Sequence, residues 1–127
     1  MKRLSLVLAL VMATFFFCST AVSQVIKGTF AIKNVETGML LRIKDANKKD
    51  GTPLVSYAPV NWKCMTWDFQ HTGKQTYQLK NLFTGKTFEP KQDESAAISL
   101  AQQPFVAGEE KQQYEFIPVT SGVYLIL

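Results

Sequence analysis

Thr29-Phe30-Ala31-Ile32-Lys33-Asn34, followed by Thr37-Gly38, returns 47 residues later as Thr76-Tyr77-Gln78-Leu79-Lys80-Asn81, followed by Thr84-Gly85. Five of the ten positions from 29 to 38 are identical to their counterparts, where unrelated stretches of average composition share about one or fewer. The same offset reappears at the far end of each unit, where Trp67-Asp68-Phe69 falls on Tyr114-Glu115-Phe116. Between these anchors the two units drift and realign, as a loop of changed length makes them do. A period of this size marks a structural repeat. The units span about 28–74 and 75–121, and a third begins at 122 with Tyr124-Leu125-Ile126-Leu127.

Inside each unit the periodicity is that of short strands. Phe30 and Ile32, like Tyr77 and Leu79, alternate with polar neighbours, the pattern of a chain with one face buried. Residues 34–38 and 81–85 read as turns, with a Gly at the end of each to accept positive φ. A second strand is expected over 39–43, a third over 54–57 and a fourth over 66–69. Asp50-Gly51, a tight-turn pair, falls between the second and third. No stretch after residue 23 has the spacing of an amphipathic helix, so the expectation is all-β with four strands per unit.

Working outward, the N-terminus carries Met1-Lys2-Arg3, an apolar run over 4–17, and Ala21 and Ser23 at the small-residue positions before Gln24. This is the layout of a secretory signal peptide over 1–23. The run is short for spanning a bilayer, which takes about 20 residues, and Phe17 is too bulky to precede a lipidated Cys18. The expected product is secreted or periplasmic, with no stable membrane insertion. Loss of Lys2 and Arg3 lowers the formal charge from +4 to +2. The remaining lysines are scattered, which gives nucleic-acid binding no electrostatic footing. Cys64 is then the one cysteine left; without an internal disulfide the core must hold by packing, and Cys64 reads as a part-buried inert thiol, its other reading being a pair between chains.

The order Tyr77-Gln78-Leu79-Lys80-Asn81, Thr84-Gly85-Lys86, Asp50-Gly51-Thr52-Pro53 and Gln112-Gln113-Tyr114 resembles the repeat of the ricin-type lectins, with their Gln-x-Trp element. Unit one offers Met65-Thr66-Trp67 at the last place, keeping the Trp and losing the Gln. The resemblance implies a β-trefoil, three four-strand units closing a barrel capped by hairpins, here two units and the first strand of a third. In such a closed barrel no strand edge is left unpaired. The expectation is a chain that stops as its third unit starts, whose open edges invite self-association.

The resemblance also implies shallow sugar pockets, each with an acid on the second strand, an aromatic on the third and polar groups at the Gln-x-Trp element. Unit one places Arg42 at the acid position, Tyr57 at the aromatic, and Cys64 and Met65 at the polar pair. Unit two places Glu89 at the acid position, keeps Gln112, and puts Ala101 at the aromatic. Arg42 suits a carboxylated or sulfated glycan, because a guanidinium grips such groups as a fork; its other reading is a solvated surface arginine. Tyr57 reads as a stacking or a packing residue, and Trp62 as an exposed aromatic or a loop pin. Trp67 and Tyr114 are assigned to the core.

Chemistry finds no support. His71, the single histidine, falls at the junction between units, and one His with one Cys makes no metal cluster. The stretch from Asp45 to Ser56 fails as a calcium loop, with Lys49 and Ser56 at ligand positions. Glu89, Asp93 and Glu94 show no paired acid for glycoside hydrolysis. The expectation is a non-enzymatic module without cofactor whose partner is a glycan or polysaccharide. The competing readings are a protein-interaction or structural trefoil with decayed sugar sites, and a truncated gene product.

Overall fold

The computed structural model describes residues 24–92 and 98–127; the expected signal segment and the acids Asp93 and Glu94 lie outside them. The strands are β1 (Gly28–Phe30), β2 (Leu40–Ile43), β3 (Leu54–Tyr57), β4 (Trp67–His71), β5 (Thr76–Asn81), β6 (Thr87–Gln92), β7 (Ile98–Gln103), β8 (Tyr114–Thr120) and β9 (Val123–Ile126). An antiparallel sheet takes the order β1-β4-β5-β8-β9, while β2-β3 and β6-β7 stand apart as two hairpins. The architecture is all-β, as the alternation predicts. β3 matches its expected limits; β1 stops at Phe30, so Ile32 lies just past it, and β4 runs two residues further, to His71.

The repeat extends to individual hydrogen bonds. Asn34 Oδ1 accepts from the backbone N–H of Glu36 and Thr37 at 2.9 and 3.0 Å. Asn81 Oδ1 accepts from Phe83 and Thr84 at 3.0 and 3.1 Å. Both turns close with the Gly N–H on the Asn carbonyl, at 2.8 Å for Gly38 and 2.9 Å for Gly85. These two glycines sit at φ 72° and 71°, a region that a side chain makes costly. The Asn supplies the acceptor, the Thr a second one for the residue after Gly, and the Gly the left-handed bend; that division of labour is why the triplet recurs.

The core gathers Ile43 from β2, Trp67 and Phe69 from β4, Tyr77 and Leu79 from β5, Phe88 from β6 and Tyr114 and Phe116 from β8. Its rings meet edge to face: Trp67 on Phe88 at 5.2 Å, Phe69 on Phe116 at 5.2 Å, Tyr77 on Phe116 at 5.5 Å. Such pairs add to the burial of their large apolar area. Trp67 and Tyr114 are buried, as expected. Each turns its polar tip to an equivalent carbonyl: Trp67 Nε1 donates to Leu41 O at 3.4 Å, and Tyr114 OH donates to Phe88 O at 2.9 Å. The aromatic of the Gln-x-Trp element thereby ties each hairpin to the sheet, which sets where the hairpin's outer surface lies.

Candidate functional site

The β2-β3 hairpin is covered on both faces, so its burial does not alternate. Leu41, Ile43 and Leu54 turn toward the main core, while Leu40 and Tyr57 pack with Cys64, Met65, Ala46 and Val60 in a second cluster. Cys64 is buried and forms no disulfide among the described residues. Arg42 stands opposite Val55, and Tyr57 opposite Leu40. Arg42 and Tyr57 are therefore diagonal neighbours on one face of the pleat, within reach for long side chains. The guanidinium carbon lies 4.0 Å from the centre of the Tyr57 ring.

Trp62 reaches the same ring from the loop after β3. Its carbonyl accepts from Met65 N–H at 3.1 Å and Thr66 Oγ1 at 2.9 Å, which fixes the loop without using the indole. The indole lies against Tyr57 with centroids 5.7 Å apart and planes 31° apart, and the residue is 46% exposed. The structure thus brings Arg42, Tyr57 and Trp62 together. Tyr57 is the inner member, with cation and indole against it, and Trp62 is the aromatic open to solvent.

Asp45 joins them, a residue whose sequence context suggests only a failed calcium loop. Its Oδ1 is 3.4 Å from Arg42 Nη2. Asp45 and Ala46 both adopt left-handed backbone, at φ 56° and 53°, and two consecutive non-glycine residues there store strain of about 1–2 kcal/mol each. Arg42 Nε is buried with no acceptor among the described residues.

Unit two is built on other chemistry. Glu89 holds the position of Arg42 and faces Ala101 across the β6-β7 hairpin. The residue standing where Tyr57 stands is Gln103, opposite Thr87, since Tyr57 lies opposite Leu40. This corrects the assignment of Ala101 to that place: the third strand runs one residue out of the common offset. Counting back from the end of the strand would have found it.

Gln112, expected at a pocket, is enclosed by the protein. It is 1% exposed, and its amide is used on both sides. Nε2 donates to Glu89 Oε2 at 2.9 Å and to Pro104 O at 2.8 Å, while Oε1 accepts from Val106 N–H at 3.0 Å and Gln78 Nε2 at 3.3 Å. Gln78, also buried, receives the Gly108 N–H at 2.9 Å. Together the two glutamines hold the loop over 104–108 and aim Glu89. Met65, the counterpart of Gln112, anchors the equivalent loop of unit one by apolar packing. Behind Glu89, the Tyr114 hydroxyl is pushed far above the ordinary phenol range by burial, and further by the Glu89 carboxylate; it stays a donor.

The profile of the family described as ricin-type beta-trefoil lectin domain-like matches residues 15–98. The chain belongs to this family. Among solved structures it is similar to the designed three-fold symmetric protein ThreeFoil, with 18% identity and TM-score 0.68 over 78% of this chain and 71% of that one. It is similar to the Rhizoctonia solani agglutinin, with 19% identity and TM-score 0.66 over 84% and 71%. Both likenesses establish the β-trefoil fold. An exo-beta-1,3-galactanase from Clostridium thermocellum matches at 26% identity and TM-score 0.65 over 76% of this chain, which spans 21% of that enzyme. A search of curated protein sequences returned no significant match.

Proposed function

We propose that this ricin-type lectin-like domain is a secreted, non-catalytic carbohydrate-binding module whose principal contact surface is the Arg42–Tyr57–Trp62 cluster. The observation that carries the reading is the half-exposed indole of Trp62, braced by Tyr57 beside a charged fork. A sugar offers one apolar face and a ring of hydroxyls, so a rigid aromatic plate flanked by a few polar groups suffices to hold it. Tyr57 serves by holding the plate and the guanidinium in place. Export rests on the layout of residues 1–23, and N-terminal sequencing of the exported chain is expected to read from Gln24.

In unit two, Glu89 presents a carboxylate fixed by Gln112, next to Gln103 on the neighbouring strand. These are acceptors and donors for sugar hydroxyls without an aromatic plate, and we assign this surface the weaker contact. Two weak surfaces on one rigid frame gain by avidity on a polymer.

A glycan array on the exported chain tests the reading. Trp62→Ala is expected to lose most retention, about tenfold or more, with the fold unchanged by circular dichroism. Retention unaltered in both Trp62→Ala and Tyr57→Ala, or no retained glycan at all by the folded chain, overturns it.

A further inference from the structure

We infer that the glycan taken by the unit-one cluster is acidic, and that its carboxylate binds the edge of the Arg42 guanidinium in place of Asp45. The inference rests on the carbohydrate-binding reading above and adds the ligand's charge to it. A guanidinium has five N–H donors arranged around a plane. In Arg42 the face of that plane is stacked on Tyr57 at 4.0 Å; the side chain is 11% exposed and Nε is buried, so a ligand reaches it only at the terminal Nη groups. Stacking and fork binding therefore operate together, and the stack pre-orients the fork.

The present partner uses that fork poorly. Asp45 makes one contact, at 3.4 Å, where charge-assisted N–H···O bonds run to about 2.7–2.9 Å. Its side chain is 77% exposed, so water competes for it throughout. The Nε donor is buried and has no acceptor among the described residues. A cation whose stem is buried, whose face is covered and whose donors are met by one long contact is under-compensated. A mostly exposed side chain with a single long contact makes Asp45 a replaceable counter-ion rather than a fixed one.

The surroundings favour the same sign. Lys44 precedes Asp45 and Lys63 follows Trp62, and both are exposed. A planar carboxylate matches the two parallel N–H groups of the fork, and Trp62, packed on the same Tyr57 ring, offers a half-exposed face for the sugar that carries it. A carboxylated sugar meets both demands at once.

The test is a titration of the exported chain with a panel of acidic sugars and polymers, each paired with an uncharged counterpart. The panel comprises glucuronate, galacturonate, N-acetylneuraminate and polygalacturonate, each beside its methyl ester. At least one acid is expected to bind about tenfold more tightly than its ester. Arg42→Lys keeps the charge and removes the fork, and is expected to erase that difference, with acid and ester then binding alike. Asp45→Asn is expected to tighten acid binding several-fold by removing the competitor. Equal binding of every acid and its ester, an acid preference retained in Arg42→Lys, or acid binding weakened by Asp45→Asn each overturns the inference. Failure of all members, charged and neutral, to bind is the different result that overturns the carbohydrate reading itself.

Discussion

Replacing Gln112 by Met separates what this buried amide does by its polarity from what it does by its volume. The two side chains are close in size, and Met stands at the equivalent place in unit one, where Leu40, Cys64, Tyr57 and Val60 surround it. Around Gln112 the neighbours are polar: the Glu89 carboxylate, the Pro104 carbonyl, the Val106 N–H and the Gln78 amide. The bond to Glu89 is charge-assisted, worth about 1.5–3 kcal/mol, and the two bonds to loop backbone about 1 kcal/mol each. The 3.3 Å contact with Gln78 adds little. Glu89 and the loop retain access to water, which discounts the first figure, so Gln112→Met is expected to cost about 2–4 kcal/mol. Urea unfolding followed by fluorescence reads this as a lowered midpoint with an unchanged slope. A variant within about 0.5 kcal/mol of the parent would falsify the claim that this amide organises the loop over 104–108.

Ala46→Gly relieves left-handed backbone and loses one methyl from the second cluster; the relief is the larger effect, and a net gain of about 0.5 kcal/mol is expected, seen as a raised thermal midpoint. A lowered midpoint contradicts the strain. Asn34→Ala and Asn81→Ala remove the same turn acceptor, but Asn81 is buried and also donates from Nδ2 to Cys64 O at 3.0 Å. The expected losses are about 1 kcal/mol for the first and about 2–3 kcal/mol for the second, and equal losses contradict the burial argument. The Tyr114 phenol loses its proton less readily in the folded chain than in the unfolded one. Its contribution is complete below about pH 10, the unfolded value, and falls as pH rises above it. Tyr114→Phe is expected to flatten the loss of stability on the alkaline side, and an unchanged slope above pH 10 contradicts that assignment.

The parts of the fold legible in the sequence are those set by local chemistry. Asn-x-x-Thr-Gly specifies its turn through bonds that span five residues, so both copies could be read from the chain alone. Trp67 and Tyr114 are legible as core because each opens a strand whose alternation points inward. What escaped the reading depends on register between distant segments. The pairing of Gln103 with Thr87 follows from the length of the β6-β7 connection, which differs from that of β2-β3. The burial of Gln112 depends on Gln78, 34 residues away, and a family pattern that assigns the position to a pocket does not show which neighbours enclose it. Tyr57 and Arg42 were singled out separately; that one stacks on the other follows from the diagonal placement across the hairpin. The position of Asp45 beside that stack comes from a left-handed backbone that Asp tolerates but does not require.

If Trp62 is the plate on which a glycan rests, the two tryptophans of the chain make that contact measurable. Trp67 is fully buried and Trp62 is 46% exposed, so acrylamide quenching of the native protein reports on Trp62. Saturation with the tightest-binding member of the acidic panel is expected to protect that fluorescence, and Trp62→Phe to abolish the quenchable component. A glycan that binds the chain at saturation and leaves the quenching of Trp62 unchanged contradicts the account.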